Sequence, residues 1–250
     1  MSSSRRLLVC GVPASGKTYC LRGLKDHEKT LFLNCEASKG DDLPFKNKFK
    51  KVTVTDPTSQ LLGDNGFFGQ LQNTPKDKVS TIIIDSLTFL MDLYETKYIA
   101  PLPKSQSMQA WAGYRDFINN LCNVEVPKVK QDVVFTAHIA TQIDENTLQK
   151  DTRVKLKGSI MNNGVEALFN NIVYTKKLPL SALENYSNDY LHITEDDELL
   201  GFKHVIQTRP TRDTLDEKVR SPGDMWSVKE TFIDGNIQIV LNRLNDYYGD

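Results

Sequence analysis

The chain has 250 residues, a formal net charge of −1, 39% hydrophobic residues and 25% charged residues. These values exclude a disordered or fibrous chain. They also exclude a molecule-wide basic field, so any contact with nucleic acid must come from a local patch. A chain this long buries roughly 70–75% of its unfolded surface, enough for one large domain with at most a modest appendage.

The first apolar run, RLLVC (6–10), is followed at once by GVPASGKT (11–18). That order, a short buried strand and then G-x-x-x-x-G-K-[ST], is the P-loop pattern. Successive backbone N–H groups from Gly11, Val12, Pro13, Ala14 and Ser15 to Gly16, Lys17, Thr18 and Tyr19 are expected to surround phosphate oxygens, Pro13 contributing shape alone. Gly11 and Gly16 admit backbone angles and close approaches that a Cβ would block. Lys17 is expected to reach the β- and γ-phosphates of ATP, and the Thr18 hydroxyl to ligate Mg²⁺. The stretch TYCLRGLKD (18–26) reads as the helix that follows, with Gly23 its weak point.

Three more apolar runs come next: TLFLNC (30–35), STIIID (80–85) and DVVFTA (132–137). They do not alternate, which is how strands buried on both faces of a parallel sheet read. Between them, 86–98 carries Leu87, Leu90, Met91 and Tyr94 at helical spacing, and 108–123 carries Trp111, Tyr114, Ile118 and Leu121. This alternation predicts a three-layer α/β fold with right-handed crossovers. NNIVYTKKL (170–178) reads as a further strand. DYLHIT and FKHVIQT, flanking the acidic EDDELLG (195–201), predict an antiparallel hairpin. The segment 234–250 predicts a closing helix with Ile237, Val240, Leu241 and Leu244 inward. No apolar run approaches the ~18 residues that span a bilayer, and MSSSRR runs directly into the first strand, so no membrane contact and a cytoplasmic location are expected. Cys10, Cys20, Cys35 and Cys122 lack metal-ligand spacing and read as small buried hydrophobes in a reducing compartment.

In an open parallel sheet, ligands bind at the carboxyl ends of the strands, so the residue that ends each run matters. Those residues are the P-loop itself, Glu36, Asp85 and His138. Asp85 after three isoleucines suits a Mg²⁺-holding carboxylate, the favoured reading given the P-loop, with an N-cap for the next helix as the alternative. Glu36 is a candidate general base for the attacking water, or a solvated acid at a strand end. His138 is a candidate sensor of the γ-phosphate, or a satisfied polar residue. In the stretch 139–164, Lys150, Arg153, Lys155 and Lys157 form a basic set. If RVKLK is extended, three cations lie on one side, fit for a phosphate backbone or for protecting a sheet edge.

Together these segments resemble the RecA-like P-loop ATPase family. LFLNCEA is similar to its second strand, whose terminal glutamate is the catalytic base. IIIDSLTFL is similar to its Walker B strand, and VVFTAHI to its sensor strand. Ser86, rather than an acid, follows Asp85, so the base must come from another strand, and Glu36 supplies it. The short length and the segment 205–226 look most like the compact RecA-like single-strand annealing proteins encoded by phages, AAA-type ATP-binding recombination proteins. That resemblance implies a RecA-like core over 1–180, mostly parallel, with an antiparallel hairpin and helix over 181–250 packed on the same sheet. It implies a DNA-stimulated, Mg²⁺-dependent ATPase that promotes strand annealing or pairing in the host cytoplasm. Lys17, Glu36 and His138 would be catalytic, and Lys150, Arg153, Lys155 and Lys157 would meet single-stranded DNA, with a second loop near Lys97 and Lys104. It also implies a homo-oligomer, ring or filament, with nucleotide between subunits and a single-strand-binding protein as a further partner. A basic residue from the neighbour would complete the site: Arg220 first, with Lys176, Lys177, Arg209 and Arg212 as alternatives. A translocating motor and a nucleotide-gated binding module with little turnover remain the competing readings. Trp111 and Trp226 read as core or interface anchors.

Overall fold

The computed structural model describes residues 5–36, 42–143, 145, 149–158, 160 and 164–249. Parts of the basic stretch (144, 146–148, 159 and 161–163) therefore lie outside the described residues.

The apolar runs form the parallel centre of one sheet: β1 (Arg6–Gly11), β2 (Thr30–Asn34), β4 (Thr81–Asp85), β5 (Asp132–Ile143) and β7 (Asn171–Pro179). A short edge strand, β3 (Lys50–Thr53), adds to β2 in parallel. The order is β3-β2-β4-β5-β1-β7-β8-β9, with β8 (Phe202–Gln207) and β9 (Phe232–Asp234) antiparallel at the far end. This is the mostly parallel α/β sheet with an antiparallel C-terminal extension that the pattern predicts. β5 runs past the sheet, and its last residues pair antiparallel with β6 (Lys150–Val154).

Two layers cover the sheet. On one side, α3 (Leu87–Tyr94) and α4 (Ser107–Asn120) set Leu87, Leu90, Met91, Tyr114 and Ile118 into one core with Leu8, Ile82, Ile84 and Phe135. Shorter helices, α1 (Pro57–Leu61) and α2 (Phe67–Leu71), join that layer through Leu61 and Phe68. On the other side, α6 (Ile237–Tyr248) buries Ile237, Val240, Leu241 and Leu244 against Leu7, Val9, Phe32 and Val134. Trp226 is almost fully buried in this second core, and Trp111 packs at the edge of the first. The four cysteines are buried free thiols.

Two expectations fail. Residues 195–201 are not a hairpin turn. Thr194 caps Asp197 N–H while Asp197 accepts from the Thr194 backbone, so 195–200 closes into a short helix, α5 (Glu195–Leu200). Its first turn is wholly acidic, which favours a helix N-terminus. β8 consequently pairs with β7 and β9 rather than with 189–194. The stretch 18–26 is likewise no full helix. It makes one 3₁₀ segment, Tyr19–Gly23, and leaves it at Leu24 in an extended conformation. Asn236, the cap of α6, packs against Gly23 where a Cβ would sit, and this contact takes the place of further helical turns.

Candidate nucleotide site

The P-loop leaves β1 at Gly11. A Cβ there would overlap Ser15 Oγ and Thr175 Oγ1, which hydrogen-bond each other at 2.7 Å. Ala14 and Gly16 both have positive φ, 61° and 100°. For Ala14 this is a sparsely populated conformation, of the kind that turns successive N–H groups toward one concavity. The Lys17 side chain folds back over the loop, its Nζ donating to Gly11 O at 3.0 Å and Val12 O at 2.7 Å. It is 6% exposed, and burial lowers its pKa from 10.5 to about 8, against the pull of Asp85. The cradle therefore holds a nearly buried cation that its own carbonyls satisfy only partly, which fits a phosphate-bearing substrate.

Thr18 Oγ1 donates to Asp85 Oδ2 at 3.1 Å, and Thr136 Oγ1 donates to Asp85 Oδ1. Burial pushes the Asp85 carboxyl up, against the stabilising hydrogen bonds of these two threonines. A hydroxyl and a buried carboxylate in contact are the oxygen donors a Mg²⁺ ion takes from a protein when substrate phosphates complete its shell. Ser86, not Asp85, caps α3, its Oγ accepting from Phe89 N at 3.4 Å.

Glu36 is held beside this pair through the backbone. Cys35 N donates to Asp85 O at 2.8 Å, and Glu36 N donates to the Asn34 side chain at 2.9 Å. His138 pairs with Gly11 in the β1–β5 register, and its N–H donates to Thr88 Oγ1 at 3.0 Å. Its ring meets Phe89 edge-on at 5.7 Å. Lys17, Thr18, Glu36, Asp85 and His138, read from four separate segments, thus line one cleft of about 570 Å³ with Pro13, Ala14, Gly16 and Tyr19.

A family described as "AAA domain" matches residues 3–211. The chain belongs to the AAA domain family. No curated protein matches it. Among solved structures it is similar to the RadB recombinase, at 16% identity and a TM-score of 0.39, covering 71% of this chain and 77% of that one. It is also similar to the flagellar accessory protein FlaH from Methanocaldococcus jannaschii, at 12% identity and a TM-score of 0.35, covering 83% and 78%. These two are likenesses of fold alone. Membership of the AAA domain family implies nucleotide binding.

Five lining residues of this cleft escaped the sequence reading: Pro44, Phe89 and, from the C-terminal extension, Leu200, Phe202 and His204. His204 Nδ1 lies 3.2 Å from Ser15 O, and its ring sits where a Cβ on Gly16 would crowd it. The Lys177 ammonium lies 3.6 Å above the Phe202 ring. No local signal marks His204, because only the β7–β8 pairing brings it to the loop.

The remaining expected residues lie apart from the cleft. Arg153, Lys155 and Lys157 are exposed and alternate with the buried Thr152, Val154 and Leu156, as an extended segment requires. Lys150 is exposed at the start of the same strand. Arg153 pairs with Asp151, and Lys157 with Glu95 at 2.6 Å, so part of this charge is compensated. Arg220 forms a backbone bridge with Ile172 and donates its guanidinium to Phe169 O at 3.1 Å. That is the end of β7 opposite the P-loop. Lys176 is tied to Glu217 at 2.7 Å. No helix among the described residues is long and apolar enough to cross a membrane.

Proposed function

We propose that this protein is a RecA-like, Mg²⁺-dependent ATPase that couples ATP turnover to single-stranded DNA and promotes strand annealing or pairing. One observation carries the coupling. His138, at the cleft, accepts a backbone hydrogen bond on its carbonyl from Lys155 N at 2.7 Å. In this reading His138, the nucleotide sensor, is one hydrogen bond from the exposed basic row that starts on β6 and continues through Lys155 and Lys157. A shift of His138 along its strand axis moves that row with it.

In this reading the P-loop amides and Lys17 bind and orient the ATP phosphates. Thr18 and Asp85 hold Mg²⁺, which when bound screens the phosphate charge. Glu36 takes the proton of the attacking water, and His138 donates a hydrogen bond at the same edge. Lys150, Arg153, Lys155 and Lys157 track the DNA backbone, giving salt-dependent affinity. Neighbouring subunits close the site, with Arg220 the first candidate in trans, and a single-strand-binding protein is a further partner.

The test is the ATP hydrolysis rate with Mg²⁺, with and without single-stranded DNA, at low and high salt. Stimulation that fades as salt rises is the expected result. A rate indifferent to DNA would replace this proposal with a nucleotide-gated binding module. Directional displacement of a paired strand would replace it with a translocating motor.

A further inference from the structure

A second basic surface lies at the other end of the sheet. From residue 43 to 50 the chain bends at 44–45 and then runs into β3, and exposure alternates: Leu43, Phe45, Asn47 and Phe49 turn inward, while Lys46, Lys48 and Lys50 turn out. The inward register is fixed by aromatic packing. Phe49 contacts Phe45 at 5.8 Å, Phe32 at 6.1 Å and the His27 ring at 4.6 Å. A one-residue slip would expose Phe49 and bury lysines, so the outward row is strongly specified. Its lysines stand about 6.7 Å apart, on the order of the separation of successive phosphates along an extended strand.

Lysine on an edge strand is commonly a guard against aggregation. Two features exceed that role. The row forms one wall of a cleft of about 630 Å³, and the segment before β2 forms the other, contributing Lys25 and Lys29. Counting Lys50, which borders the cleft, five lysines face two acids, Asp26 and Glu28. Glu28 pairs with Lys48 at 2.8 Å, but both side chains are more than 70% exposed. Such a pair contributes little and exchanges readily for another anion.

We propose that this groove is a second binding surface for single-stranded nucleic acid, engaging its phosphate backbone without base stacking, since its aromatic rings face inward. A concave, lysine-walled groove with no exposed aromatic or leucine anchor fits one backbone better than a flat lipid surface. The groove adjoins the amino ends of β2 and β3, whereas β6 pairs with the carboxyl-terminal part of β5, past the parallel sheet. The inference builds on the strand-pairing function proposed above: one subunit would hold one DNA strand at the amino ends of its β-strands and another beyond their carboxyl ends, which is what pairing two strands needs.

The experiment uses the full chain and two variants, Lys46→Glu/Lys48→Glu/Lys50→Glu and the milder Lys46→Gln/Lys48→Gln/Lys50→Gln. Binding of a fluorescent oligo(dT) is measured from 50 to 200 mM salt, alongside annealing of two complementary oligonucleotides and DNA-stimulated ATPase. Three lost phosphate contacts lower the slope of log K against log salt by about 2. Annealing is expected to fall at least tenfold in both variants, while ATPase stimulation, which reads β6, stays at the wild-type level. An unchanged slope and unchanged annealing would overturn the groove. So would wild-type protein that binds no oligonucleotide, a duplex bound in the groove as tightly as oligo(dT), or groove-dependent binding to phosphatidylserine vesicles alone. Groove-dependent oligonucleotide binding with an ATPase indifferent to DNA would leave this surface standing and remove the proposed coupling.

Discussion

Lys17 makes nucleotide binding a proton-linked event. In the free protein its pKa is about 8, lowered by burial. An ordinary lysine titrates near 10.4, so the charged form is held in the loop at a cost of about 3 kcal/mol. The sign follows from proton counts. Between pH 8 and 10.4 the unfolded chain binds more protons at this group than the folded one, so this group makes folding stability rise with pH across that window. Binding reverses the shift, because phosphate charges beside Nζ favour the ammonium. At pH 7 about nine-tenths of Lys17 is already charged, and binding takes up about 0.1 proton there. At pH 9 about nine-tenths is neutral, and each nucleotide bound takes up about 0.9 proton. Affinity accordingly weakens about tenfold from pH 7 to pH 9. Calorimetric titration of ATP in buffers of different ionisation enthalpy reads the uptake directly. Lys17→Met is the control: it abolishes binding while leaving the free protein at least as stable at pH 7. Zero uptake at pH 9, with affinity flat from pH 7, would refute the buried-cation account.

Glu36→Gln keeps ATP binding and lowers turnover by 10²–10⁴, measured by single-turnover hydrolysis, because it removes the proton acceptor but not the cradle. Full activity in that variant would take the base role away from Glu36. His204→Ala frees the Ser15 carbonyl and loosens the loop from outside; KM for ATP is expected to rise several-fold with kcat changed less than twofold. Leu244→Ala empties a fully buried site in the core under α6. It is expected to cost 2–5 kcal/mol in urea unfolding, in a single transition if the closing helix belongs to the same cooperative unit as β1.

The central strands were readable because they are buried on both faces, which forces apolar runs of the length that TLFLN and TIII show. The five side chains of the cleft were readable for a related reason: a parallel sheet sends the residue after each run to one edge. Edge strands carry no such signature. β3 is two lysines, a valine and a threonine in alternating exposure, and only its pairing with β2 reveals it. The acidic stretch 195–200 was misread because a polar cluster between two apolar segments suits a turn as well as a capped helix. The Thr194–Asp197 reciprocal bonds, a threonine with an acid three residues on, decide it.

The C-terminal extension matters for the site as well as for the sheet. Lys203 is nearly buried between Asp197 at 2.8 Å and Asp234 at 3.3 Å, and His192 Nδ1 reaches the other Asp234 oxygen at 2.7 Å. One lysine thus ties α5, β8 and β9 together, and the residues on either side of it, Phe202 and His204, face the nucleotide cleft. The same β8 pairs with β7, whose Thr175 meets Ser15 of the P-loop. The loop is therefore buttressed from β7 and β8 at once, which compensates for the single 3₁₀ segment that follows it. A full helix after Thr18 would have held the loop by its own backbone; here Thr175 and His204, 160 and 189 positions from Ser15, do so.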